Sequence, residues 1–219
     1  MNNSEKIILD LCGGTGAWSK PYKDAGYDVR LITLPDYDVL TYQPPDNVYG
    51  ILAAPPCLEF SLARNGINVY MTEAPQRNIE AGLEIVRACQ RIVNESNPKF
   101  SALENPVGLK ILREYLGIPR FKFQPWQFGD PWTKYTSLWG NFKIPIVQFV
   151  TQKQCALYVG DIKQYFKVRK LSAPIRKGKL LPSKADIDET CFKFTGMKAE
   201  RSAFRSITVK AIGLRESSS

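Results

Sequence analysis

Two short stretches of the chain end in residues that can do covalent chemistry. The first, Gly50 to Arg64, reads GILAAPPCLEFSLAR. Its apolar run Ile51–Ala54 predicts a buried strand, which Pro55 and Pro56 stop, so that Cys57 is the first residue beyond them. The second, Lys99 to Leu103, predicts another strand, terminating in Glu104-Asn105-Pro106. In a parallel sheet both ends fall on one rim, where open α/β sheets hold their ligands, so Cys57 and Glu104 can face a single cleft. A thiolate there can add to an electrophilic carbon while a neighbouring carboxyl hydrogen-bonds the charge that develops. By itself Cys57 reads equally as a small buried hydrophobe.

The elements that must position these groups follow from the rest of the chain. Residues 6–12 (KIILDLC) form an apolar strand that runs into Gly13-Gly14-Thr15-Gly16. A helix over 17–25, with Pro21 suited to its first turn, and a strand from Tyr27 to Leu34 complete a β–turn–α–β unit. Glycines in such a turn let backbone N–H groups approach a ligand at a helix N-terminus, although tight strand–helix turns also need glycine with no ligand present. Asp36 and Asp38 follow the second strand, in a loop rich in turn formers. Residues 61–73 are irregular and place Arg64 in an exposed loop beside the thiol. A helix is predicted from about Ala74 to Asn94, ended by Asn97-Pro98, and a shorter one over 107–117. Residues 121–142 are dense in aromatics and predict two or three short strands.

Composition narrows the chemistry. The 219 residues contain no histidine, which excludes Ser-His-Asp and Cys-His hydrolase schemes and most zinc sites. Five scattered cysteines without a CxxC spacing argue for reduced thiols and against a metal site. No apolar run approaches membrane-spanning length, so a cytoplasmic protein without a membrane partner is expected. The net charge is +9, yet the first 150 residues carry equal numbers of basic and acidic groups. The whole excess therefore lies in 151–219, which includes KVRK (167–170) and RKGKLLPSK (176–184). Such a block beside a neutral domain suits a polyanionic partner, nucleic acid first.

Taken in order, these pieces resemble the DNA cytosine-5 methyltransferase family, in the compact form found in phages and prophages. ILDLCGGTGAW (8–18) is similar to the family's cofactor motif, APPCLEFS (54–61) to its proline–cysteine nucleophile motif, and LENP (103–106) to its Glu-Asn motif. Asp38-Val39 stands where the family sets an acid against the adenine of S-adenosylmethionine. FGDPWTKYTSLWGN (128–141) is similar to the segment that supplies two arginines near the target base, here Lys134 and Thr136. The resemblance covers roughly residues 6–142, with a weaker echo at 201–212, and this chain departs from it at Leu58, where many members carry glutamine.

The resemblance implies an α/β fold with a mostly parallel, Rossmann-like methyltransferase sheet and a small basic recognition region. It implies a catalytic and cofactor-binding domain over 1–142, target recognition over 143–200, and a returning segment with a tail over 201–219. Cys57 and Glu104 become catalytic. Asn105, Ser61, Arg64, Lys134 and Thr136 become substrate-binding. Asp10, Gly13, Gly14, Gly16, Trp18, Asp38 and Pro56 line S-adenosylmethionine, with no metal. The implied partner is double-stranded DNA with a flipped cytosine, bound by a monomer. A cytosine-5 enzyme acting on RNA uses the same residues, and a non-catalytic DNA- or cofactor-binding homologue is the alternative from a different class. An adenine amino-methyltransferase is disfavoured, because Ala54-Pro55-Pro56-Cys57 stands where an Asp/Asn-Pro-Pro-aromatic tetrad is needed.

Overall fold

A computed structural model describes residues 2–60, 77–108, 110–129 and 133–159. In chain order these form β1 (Ile7–Leu11), α1 (Lys20–Asp24), β2 (Asp28–Ile32), β3 (Val48–Ala53), α2 (Ile79–Ser96) and β4 (Phe100–Pro106). They continue with α3 (Ile111–Leu116), β5 (Phe121–Phe123), β6 (Thr136–Trp139) and α4 (Gln152–Val159). Ser61, Arg64, most of 143–200 and all of 201–219 lie outside the described residues.

The six strands make one sheet in the order β2-β1-β3-β4-β6-β5. β1 pairs in parallel with β2 and β3, and β3 with β4, whereas β6 runs antiparallel to β4. The mostly parallel sheet expected from sequence is therefore mixed. Because the chain visits β2 on one side of β1 and then β3 on the other, the carboxyl ends of β1 and β3 form a topological switch point.

Alternation along the strands builds the core. Leu9 and Leu11 of β1, Ile51 and Ala53 of β3, and Leu103 of β4 join Val86, Cys89 and Ile92 of α2 in one buried cluster. The helical residues recur every three positions, as expected of the stripe a helix turns toward a sheet. Ile8 and Asp10, and Ala102 and Glu104, alternate onto the opposite face. There Tyr22 of α1 stacks on Phe100 with centroids 5.7 Å apart. α2 starts and ends later than the sequence predicts. It begins at Ile79 because Asn78 caps it, its side chain accepting from the Ala81 N–H, and it stops at Asn97, which is left-handed at φ 42°.

The chain divides into two compact units. The first is Met1–Gly13, Tyr22–Lys122 and Thr136–Phe142, which holds most of the sheet. The second comprises Gly14–Pro21, Phe123–Tyr135 and Lys143–Ser219. Within the second, α4 packs on the 3-10 turn, and the Gln148 and Phe149 N–H groups donate to the Gln127 carbonyl. The helix at 152–159 was not legible in a segment of weak periodicity.

Cys89, fully buried in α2, has its thiol pKa pushed up by a hydrogen bond with Cys12 and by burial. A thiol whose native pKa is raised contributes stability below its ordinary value near 9.0, and that stability is lost as pH rises further, because the unfolded chain ionises first. Thermal unfolding between pH 8 and 10.5 should show a steeper alkaline loss in wild type than in Cys89→Ala. The difference should approach, at most, about 1.4 kcal/mol per pH unit.

Candidate active site at the strand ends

Register sets Leu11, Ala53 and Leu103 level across β1, β3 and β4, so Cys12, Ala54 and Glu104 begin the rim together. The Ala54 N–H donates to Leu11 O at 2.9 Å, after which Pro55 and Pro56 can add no backbone donor. The chain instead turns, with the Phe60 N–H donating to Cys57 O at 3.0 Å. What fixes this turn to the sheet is Asn105, whose Nδ2 donates to Pro55 O at 3.1 Å. One buried bond thus joins the segment carrying Cys57 to the strand carrying Glu104. Cys57 and Glu104 are 4% and 5% exposed.

Asn105, expected to touch substrate, is fully buried and spends its amide N–H on the neighbouring strand end. Its Oδ1 is also buried and makes no hydrogen bond. Alternation along β4 turns Asn105 to the face opposite Glu104. Cys57 is buried, and the turn that follows it sets Phe60 into the core at 1% exposure, while the loop expected over 61–73 lies outside the described residues. Leu58 and Pro56 remain exposed. Thr136 is buried in β6 opposite Pro106, next to the end of β4, so the structure brings it to the Glu104 rim.

The turn after β1 is held from within. Asp10 is fully buried, and its carboxyl packs so closely on Gly13 that a Cβ there would lie 2.2 Å from Cγ. Cys12 is left-handed at φ 57° and donates its N–H to Ile32 O at 2.8 Å. Asp38 caps its own turn, its Oδ1 accepting from the Leu40 N–H at 2.9 Å. Arg91 of α2 secures that loop, Nη2 donating to Tyr42 O at 2.8 Å while Nη1 pairs with Glu95. Arg91 escaped the sequence reading because on a helical wheel it belongs to the polar face; nothing local reveals a carbonyl 49 residues away.

In the second unit, Gly14 and Gly16 are left-handed at φ 58° and 68°. Gly16 O accepts from the Lys20 N–H and from Ser19 Oγ. Trp18 is 3% exposed, with its indole N–H buried and making no hydrogen bond. Lys134 donates its backbone N–H to Gln124 Oε1 at 2.9 Å. Among the described residues no group of three or more Cys, Asp or Glu could hold a metal ion, and no helix is long and apolar enough to cross a membrane.

Removing the Asn105 amide leaves a buried carbonyl without its donor. Asn105→Ala should therefore lower stability by about 1–3 kcal/mol in urea denaturation, and should raise the alkylation rate of Cys57 by releasing its turn.

The sequence matches no protein-family model and no curated protein. Among solved structures, the chain is similar to an E. coli protein described as a "putative DNA modification methyltransferase encoded within prophage". The TM-score is 0.44 at 18% identity, over 80% of this chain and 58% of that one, so the chain spans less than two thirds of that protein's length.

Proposed function

We propose that this chain transfers a methyl group from S-adenosylmethionine to C5 of cytosine in DNA, with Cys57 as nucleophile and Glu104 as the group that holds the base. The Asn105–Pro55 hydrogen bond carries this reading. It ties a strand-end thiol to a strand-end carboxyl, the pair that the sequence resemblance assigns to this chemistry.

C5 of cytosine is a weak nucleophile while its electrons belong to the aromatic ring. Addition of the Cys57 thiolate to C6 turns the ring into an enamine, and C5 then carries the reactive electron pair. Glu104, protonated or sharing a proton with the base, hydrogen-bonds N3 and the exocyclic amine and offsets the charge of the adduct. Loss of the C5 proton, with water as its acceptor, followed by departure of the thiolate from C6, restores the aromatic ring. S-adenosylmethionine, when bound, supplies the electrophilic methyl as a sulfonium substituent.

The residues of the first unit fit that cofactor. Asp10 already fills the space that a side chain at Gly13 would take, so the turn after β1 needs glycine there, and the Arg91-braced loop presents the exposed Asp38 carboxylate. Pro56 is exposed at the nucleophile turn. Roles for Gly14, Gly16, Trp18 and Lys134 rest on the resemblance alone, as do those of Ser61, Arg64 and the basic block 151–219. A base within a duplex must leave the stack before C6 is accessible, at a cost of a few kcal/mol, and a basic region that grips the backbone would hold the distorted DNA.

Incubation with methyl-labelled S-adenosylmethionine and unmethylated double-stranded DNA should place label in C5 of cytosine. Cys57→Ala should lower the rate by roughly 10³-fold or more. A 5-fluorocytosine duplex should trap a covalent adduct with wild type and none with the variant. Proven DNA binding without an adduct would instead favour a non-catalytic binding protein, and labelling of RNA alone would change the substrate.

A further inference from the structure

The turn that carries Cys57 is gripped on a second side, by α2. Glu59 Oε2 accepts from the Asn78 N–H at 2.7 Å, and Glu59 O accepts from Arg77 Nη1 at 2.7 Å. Asn78 is the residue that caps α2, its Oδ1 accepting from the Ala81 N–H at 3.0 Å. A reciprocal cap normally draws its second acceptor from a Glu or Gln three residues into the helix, reaching back to the capping residue's own N–H. In α2 that position is Ala81, which has nothing to offer. Glu59 supplies the missing acceptor from 19 residues upstream. The arrangement also favours a carboxylate electrostatically, since the N-terminus of an 18-residue helix carries partial positive charge.

Packing fixes the same joint. Gly82, on the first turns of α2, lies against the turn so closely that a Cβ there would sit 2.8 Å from the Phe60 ring and 3.2 Å from the Glu59 Cβ. Phe60 is buried at 1% exposure, and its N–H closes the turn on Cys57 O. Cys57 therefore lies between two anchors: Asn105 on Pro55, two residues before it, and the α2 N-terminus on Glu59, two residues after it.

We propose that Glu59 is a positioning residue for the Cys57 nucleophile. Its carboxylate completes the cap of α2 and so fixes where the thiol stands. This rests on the reading of Cys57 as nucleophile, but the clamp itself can be read without catalysis.

The test compares Glu59→Gln, Glu59→Asp and Glu59→Ala with wild type in the full chain. Glutamine keeps an acceptor at the same reach. Aspartate keeps the charge but withdraws it by one methylene, and alanine removes both. The first measurement is the iodoacetamide alkylation rate of the Cys57 peptide in the native protein, followed by mass spectrometry with far-UV melting as a check of folding. Glu59→Ala should react roughly tenfold faster or more, Glu59→Asp should fall between, and Glu59→Gln should stay within about twofold of wild type. The second is methyl transfer, in which Glu59→Ala should lower kcat while the KM for S-adenosylmethionine holds, and Glu59→Gln should restore kcat.

Wild-type alkylation rates in both Glu59→Asp and Glu59→Ala would overturn the proposal. So would a Glu59→Gln enzyme as slow as Glu59→Ala with its thiol still protected, since that pattern belongs to a proton acceptor. If Glu59→Ala fails to fold, the aspartate and glutamine variants decide between these outcomes. If wild type forms no 5-fluorocytosine adduct, the reading of Cys57 fails, while the alkylation series still decides whether Glu59 holds the turn.

Discussion

The hydrogen bond from Asn105 to Pro55 is the constraint on which the strand-end site depends. Without a tie, a segment that leaves the sheet through two prolines has no backbone donors of its own with which to return to it. A buried amide on the adjacent strand solves this by reaching sideways to the first proline carbonyl. The bond is shielded from water, so its partner group has no alternative once it is broken. The placement of the Cys57 segment beside the Glu104 strand end therefore follows from the register of two parallel strands and this one bond.

Burial of both groups changes how they can act. A thiol and a carboxyl at 4% and 5% exposure are not simply surface side chains waiting for a solute. A ligand that reaches them must replace protein contacts with its own, in surroundings where hydrogen bonds are stronger than in water. That suits a reaction in which the carboxyl has to hold a flat, polar ring while charge develops on it, as proposed for cytosine.

Much of this was legible in the sequence, for physical reasons. Apolar runs stopped by Pro55 and by Pro98 mark buried strands and a helix end, and parallel strands bring their carboxyl ends to one rim, so Cys57 and Glu104 emerged together. Asn105 emerged as a polar neighbour of Glu104, without its bond to Pro55. A sequence shows that a polar residue lies beside Glu104, but the alternation that turns it to the other face becomes decisive only once the strand is known to continue through Pro106. Glu59 and Arg91 stayed hidden because each bonds a backbone group far along the chain, and backbone groups carry no residue signature. The antiparallel course of β6 and the helix α4 were equally silent, since short elements in aromatic or basic segments have little period to read.

Helix α2 meets three loops of the site region at three heights. Its cap takes Glu59 of the turn that carries Cys57, Cys89 near its middle meets Cys12, and Arg91, two residues further on, holds the loop of Asp38. These contacts span 13 residues, roughly 20 Å of a single helix. α2 is thus a common strut, and the three loops share one mechanical reference. A tilt or slide of that strut would displace Cys57, Cys12 and the Asp38 carboxylate together, because all three hang from the same helix.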